Sequence, residues 1–257
     1  MTASSRRRIT LLLSLNIFAT GAGWLMIGEV TGNGPTSRFL YTGFALALAI
    51  TGADAWLHRS GQTRALGRLL SRGTMLLPFI WLVSSLLLPL FWVETVDART
   101  TALSIGLLSW LCGANAVRGF RQFRAAWVAR GPLALAEHYQ QPDATIDWEA
   151  ILASLRVQPA MYVPLMNRFT LPLAAVAGIG GMMFGPVLVY SSPLSAALGW
   201  TFAVAFLLSY FVQLLGSGAA QALALVRLEK AAGRPLAPRF AEDARRPRSR
   251  KGQRRKR

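Results

Sequence analysis

The chain has 257 residues, of which 53% are hydrophobic and 15% charged, and its 28 Lys and Arg against 11 Asp and Glu give a formal net charge of +17. With a mean hydropathy of +0.38, it is too apolar for an ordinary soluble domain and far from a disordered chain. Two histidines and one cysteine exclude an intrachain disulfide and a zinc site built from histidines alone.

Six apolar stretches follow one another: residues 9–30, 39–57, 75–93, 101–117, 169–190 and 195–215. A hydrocarbon core roughly 30 Å thick takes about 20 helical residues to cross, with about 17 as the lower limit, so each stretch can span as one helix. A β-barrel would need segments of about ten residues alternating apolar with polar, and the sequence has none of these. The expected fold is therefore all-α: a polytopic membrane protein with six transmembrane helices arranged as three hairpins.

The run from Ser5 through Arg6, Arg7 and Arg8 into the first stretch has the pattern of a signal peptide, including the twin-arginine type, with Ala19 and Gly21 as small residues for cleavage. Trp24 to Ile27 carry the apolar run to full membrane length, so an uncleaved first helix is expected. Of all the Lys and Arg residues, only Arg38 and Arg99 fall in the first, third and fifth connections. Basic residues favour the cytoplasmic side, which places both termini in the cytosol and the protein in a bacterial cytoplasmic (inner) membrane.

The first outer connection, Thr31 to Ser37, is a cluster of turn formers. Residues 58–74 carry Arg59, Arg64, Arg68 and Arg72 with Leu66, Leu69 and Leu70 on an intervening face, a pattern for a segment lying in the headgroup layer. In the fourth stretch, Cys112 is expected to be a small packing residue.

Residues 118–168 are neither apolar enough to span nor basic enough to be a tail, and are expected to form a cytosolic platform. Phe120, Phe123 and Trp127 recur at helical spacing, with Arg118, Arg121 and Arg124 on another face, so an amphipathic helix should run out of the fourth span and stop at Gly131-Pro132. A second helix is predicted over 147–156, where Trp148, Ile151, Leu152 and Leu155 form a stripe and Asp147 and Glu149 sit at the positive end of the helix dipole. These apolar stripes need cover, and the bilayer surface is the expected one, with Arg118, Arg121, Arg124 and Trp127 as the lipid-surface residues.

In the fifth stretch Ala177, Gly181 and Gly185 repeat every four residues, and Gly216, Ala220 and Ala224 do so in the sixth, as do Ala45, Ala49 and Ala53 in the second. Small residues at this spacing let helices approach closely in lipid. The sixth helix should continue past the membrane to Gly233 and Pro235. From Arg245 to Arg257 there are nine basic residues and no apolar one, a disordered tail suited to anionic lipid headgroups, with RNA or ribosome contact as the alternative. The division is thus 1–117 for four membrane helices, 118–168 for the platform, 169–232 for the last hairpin and its cytosolic extension, and 233–257 for the tail.

Ionisable groups inside spans mark pumps and membrane enzymes, and here they are scarce. Asp54 stands out, because the inner end of the second span is a helix C-terminus that disfavours an anion. Its expected partners are His58, Arg59, Arg118 and Arg121. Asn16, Asn115 and Gln213 lie at similar depth, so Asn16, Asp54, His58, Asn115 and Gln213 form a candidate polar cluster, read as interhelical hydrogen bonding with a substrate or ion site as the alternative. The sequence names no catalytic residue, cofactor or metal. The function it points to is a non-enzymatic assembly or accessory subunit with a protein partner or a second copy of itself. The alternative is a small transporter or channel lined by the glycine-rich fifth helix.

Overall fold

A computed structural model describes residues 3–31, 37–60, 64–87, 97–139, 145–160, 162–165, 169–175 and 193–238. Ala177, Gly181, Gly185 and the basic tail from Arg245, singled out above, lie outside them. The described chain is mostly helical and holds five helices long and apolar enough to cross a membrane, consistent with a multi-pass membrane protein.

Helices α1 (Ala3–Thr31) and α2 (Ser37–Ser60) form an antiparallel pair. Their approach is set by small residues: a methyl group on Gly43 would overlap the Thr20 side chain, and one on Gly23 would run into Ser85 and Phe39. The packed face of α2 therefore reads Phe39, Gly43, Ala47, Ile50 and Asp54, whereas the predicted stripe of Ala45, Ala49 and Ala53 points outward. Spacing alone gives the period of a stripe but not which way it faces.

The third rod starts earlier than residue 75. Helix α3 (Ala65–Thr74) passes through a tight turn at Met75-Leu76 into α4 (Leu77–Ser85), so the basic segment is part of the rod. Trp81 donates to the Thr20 hydroxyl at 3.1 Å and stacks on Phe39 with ring centroids 5.6 Å apart, which fixes α4 against α1 and α2.

Helix α5 (Ala98–Arg130) begins at Asp97, whose carboxylate accepts from the Thr100 N–H at 2.9 Å. Hydrogen bonding to Thr100 holds the Asp97 carboxyl below the usual carboxylate range. The helix runs unbroken for 33 residues, about 50 Å, and ends as expected at Gly131, whose φ of 74° suits a residue without Cβ. Helix α6 (Pro132–Tyr139), strand β1 (Thr145–Ile146), helix α7 (Trp148–Leu155) and a short α8 (Thr170–Ala175) follow. Asp147 caps α7 by accepting from the Ala150 N–H at 3.0 Å. The last helix, α9 (Pro193–Ala232), has 40 residues, about 60 Å.

Helices α5 and α9 make the most extensive pairing among the described residues, and they run in the same direction. Leu111 shares a core with Ala205 and Phe206, Gly119 meets Gln213, and Phe123 and Trp127 share a core with Ala220 and Ala224, so the contacts advance together along both chains. On its other side α9 packs on α4, where Trp200 donates to the Leu86 carbonyl at 2.8 Å and Phe79 stacks on Phe211.

Toward the C-terminal ends of α5 and α9 the chain builds a second core. Ala65 and Leu69 of α3, Phe123 and Trp127 of α5, Ile146 of β1, Trp148, Ile151 and Leu155 of α7, and Leu225 and Leu228 of α9 bury one another. The platform's stripes are thus covered by protein and not by the bilayer surface. Trp127, expected at lipid, is only 7% exposed and packs on Trp148 at 5.6 Å. The reason is that α9 continues alongside α5 and supplies the small residues Ala220 and Ala224 opposite those rings.

The start of the predicted tail belongs to this core. After Gly233, Leu236 is 1% exposed, its N–H donates to Glu229 at 3.1 Å, and its carbonyl accepts from the Ala65 N–H at 2.8 Å. Ala237–Pro238 (β2) then pairs in parallel with β1. Leu236→Ala should cost about 2–4 kcal/mol, by the usual cost of emptying a core leucine site. Removing residues 245–257 should leave the melting temperature within about a degree, since a segment with nine basic residues and no apolar one has no apolar surface to bury. Thermal unfolding in one detergent would check both.

Candidate functional site

Polar chemistry is gathered at two places among the described residues. The first is at the ends of α1, α2 and α3. Asp54 is fully buried and is held by Arg8, whose Nε and Nη2 donate to its two carboxylate oxygens at 3.0 and 2.9 Å. Ser71 adds a hydrogen bond at 3.1 Å and Thr74 one at 2.5 Å, while Arg8 also donates to the Ser71 carbonyl. A planar guanidinium meeting a carboxylate through two parallel bonds is the strongest geometry such a pair has. Arg8, Ser71 and Thr74 are thus partners of Asp54 that the sequence reading does not name. Ser71 and Thr74, three apart on the buried face of α3, were the legible signal.

The second place lies where α5 and α9 cross. A methyl group on Gly119 would overlap the backbone carbonyl of Gln213, and one on Gly216 that of Ala116, so the two backbones touch. Gly216 was expected to pack a helix, and its partner here is α5; Gly119, a lone glycine between Arg118 and Phe120, was missed. Ala220, one turn on, is buried in the second core as a packing residue.

Beside this crossing opens a cleft of about 140 Å³ between α5, α9 and the 152–159 segment. Gln122, Gln213, Ser217 and Gln221 give it polar edges, and Phe123, Leu152, Leu155, Val157, Pro159 and Leu214 give it apolar walls. Gln213 is 1% exposed, its Nε2 reaches only Gln122 Oε1 at 3.5 Å, and its Oε1 has no hydrogen-bond partner among the described residues. The amide thus has one end unpaired among the described residues. A buried amide in that state costs about 1–3 kcal/mol.

The remaining predicted polar residues bond as follows. Asn16 is fully buried and donates to the Leu12 carbonyl of its own helix at 2.9 Å. Asn115, equally buried, donates to Leu111 at 2.9 Å and to the Tyr162 carbonyl at 2.7 Å, tying the platform's exit to α5. His58 is partly buried on α2. Asn16 and Asn115 thus bond to backbone carbonyls, and Asp54 to Arg8, Ser71 and Thr74.

Of the expected lipid-surface arginines, Arg121 and Arg124 are exposed, whereas Arg118 is half-buried with its guanidinium 4.3 Å above the Tyr162 ring. The Arg118 Nε is buried with no hydrogen-bond partner among the described residues. No family model, no curated protein and no solved structure matches this chain.

Proposed function

We propose that the protein is a non-enzymatic assembly or accessory subunit of a bacterial cytoplasmic membrane complex, with six spans in three hairpins and both termini in the cytosol. The observation that carries this reading is the packed core raised on the ends of α5 and α9. Two continuous helices fix that head rigidly to the membrane, and Arg121 and Arg124 stand exposed on its α5 side. A rigid head with a cationic face is suited to holding a partner protein.

Because α5 and α9 run side by side in one direction, the chain between them must return to the level at which α5 begins. Residues 169–190 supply the roughly 20 residues that a crossing needs, which supports the sixth span. The basic residues 245–257 would then meet the anionic inner leaflet, each contributing about 1 kcal/mol near the surface, less in salt.

Crosslinking in native membranes is expected to capture a discrete partner with the wild-type chain and to lose it with Arg121→Glu combined with Arg124→Glu at unchanged melting temperature. Recovery of only an uncrosslinked monomer in mild conditions would speak against the reading.

A further inference from the structure

The cleft beside the α5–α9 crossing carries an assignment that the scaffold role does not use. We propose that it is a binding site for a glycerol-phosphate headgroup, in which the neutral polyol enters the cleft and the phosphate rests at Arg118.

The lining dictates the chemistry. All four polar edges, Gln122, Gln213, Ser217 and Gln221, are uncharged and offer both donors and acceptors. A hydroxyl-bearing ligand matches such edges, because each hydroxyl also gives and takes a hydrogen bond, while an ionic group would find no counter-charge inside. Gln213 already presents a buried, unpaired amide end there, so the cleft lacks a hydrogen-bonding group that a ligand hydroxyl would supply. The Phe123 and Leu214 walls suit the C–H faces of a polyol.

Size agrees. A cavity of about 150 Å³ holds a molecule the size of benzene, six heavy atoms, and glycerol has six. So does position. The apolar run of α5 ends at Val117, and Arg118, Arg121 and Arg124 follow, which puts the cleft at the headgroup level on whichever face of the membrane it lies. Arg118, one helical turn before Gln122, is half-buried with the face of its guanidinium on the Tyr162 ring, so a phosphate at the mouth of the cleft would meet its in-plane terminal N–H groups. The source is either a glycerol-headed phospholipid or free glycerol phosphate.

The test uses the full chain, stripped of lipid and then equilibrated with phosphatidylcholine vesicles holding equal minor amounts of phosphatidylglycerol and phosphatidylserine. The two acidic lipids carry equal net charge, so general attraction to a basic protein does not separate them. Mass spectrometry of retained lipid should show phosphatidylglycerol favoured by about fivefold, the scale of one or two net hydrogen bonds. Gln213→Leu and Ser217→Val should each bring the ratio toward one without lowering the melting temperature. Arg118→Ala should lower retention of phosphatidylglycerol without inverting the preference. Displacement of the lipid by millimolar glycerol phosphate would assign the site to the free compound, and retention in its presence to the lipid. Equal retention of the two acidic lipids by the wild-type chain overturns the proposal, as does a preference that survives in both cleft variants.

Discussion

Arg8→Leu is expected to destabilise the protein by about 3–5 kcal/mol, the cost of leaving a buried charge without its partner. Asp54→Asn should cost much less, about 1–2 kcal/mol. The asymmetry follows from exposure. The Asp54 side chain is fully buried, whereas Arg8 is 26% exposed and can turn its guanidinium toward water or headgroups once the carboxylate is gone. The asparagine also keeps an oxygen for Ser71 and Thr74, so two of the bonds that tie α2 to α3 survive. The double variant should be less damaged than Arg8→Leu alone, because a neutral amide removes the orphaned charge. Thermal or denaturant unfolding in a fixed detergent measures all three. An Asp54→Asn variant that unfolds more readily than Arg8→Leu would contradict the exposure argument.

Most of the rods were legible because their signals are local. The end of α5 at Gly131-Pro132, the cap and stripe of α7, and the continuation of α9 to Gly233 all follow from residues within a turn or two of each boundary. What the sequence could not show was which faces meet. Trp127 reads as a lipid anchor until Ala220 and Ala224 are placed opposite it, and that depends on α9 running parallel to α5 beyond the apolar stretch. In the same way Asp54 calls for a cation, but a cation 46 residues away on α1 is no more visible in the chain than His58 four residues away. The cleft was least legible of all. Its residues come from α5, α7, the segment after it and α9, and Gln122 and Gln221 have no periodicity that sets them apart from solvated surface.

Gly119→Ala and Gly216→Ala should each separate α5 from α9, with an expected loss of about 1–3 kcal/mol or more. That range is the usual cost of overpacking where neighbours can shift, but here the neighbour is the backbone of a helix. A methyl on Gly119 meets the Gln213 carbonyl and a methyl on Gly216 meets the Ala116 carbonyl, so relief requires moving a whole rod. Such close crossings are how helices associate where lipid removes the hydrophobic drive. Separation would also reach the second core, since Phe123 and Trp127 share it with Ala220 and Ala224 on the next turns of the same two helices. Limited proteolysis should therefore degrade both variants faster. The control is Gly113→Ala, on the exposed side of α5 with no atom within 4 Å of the added methyl. There the gain in helix propensity should dominate and raise stability by about 0.4–1 kcal/mol. Gly119→Ala or Gly216→Ala behaving like Gly113→Ala would mean that the two helices are not in backbone contact at this crossing, and the cleft beside it would lose its wall.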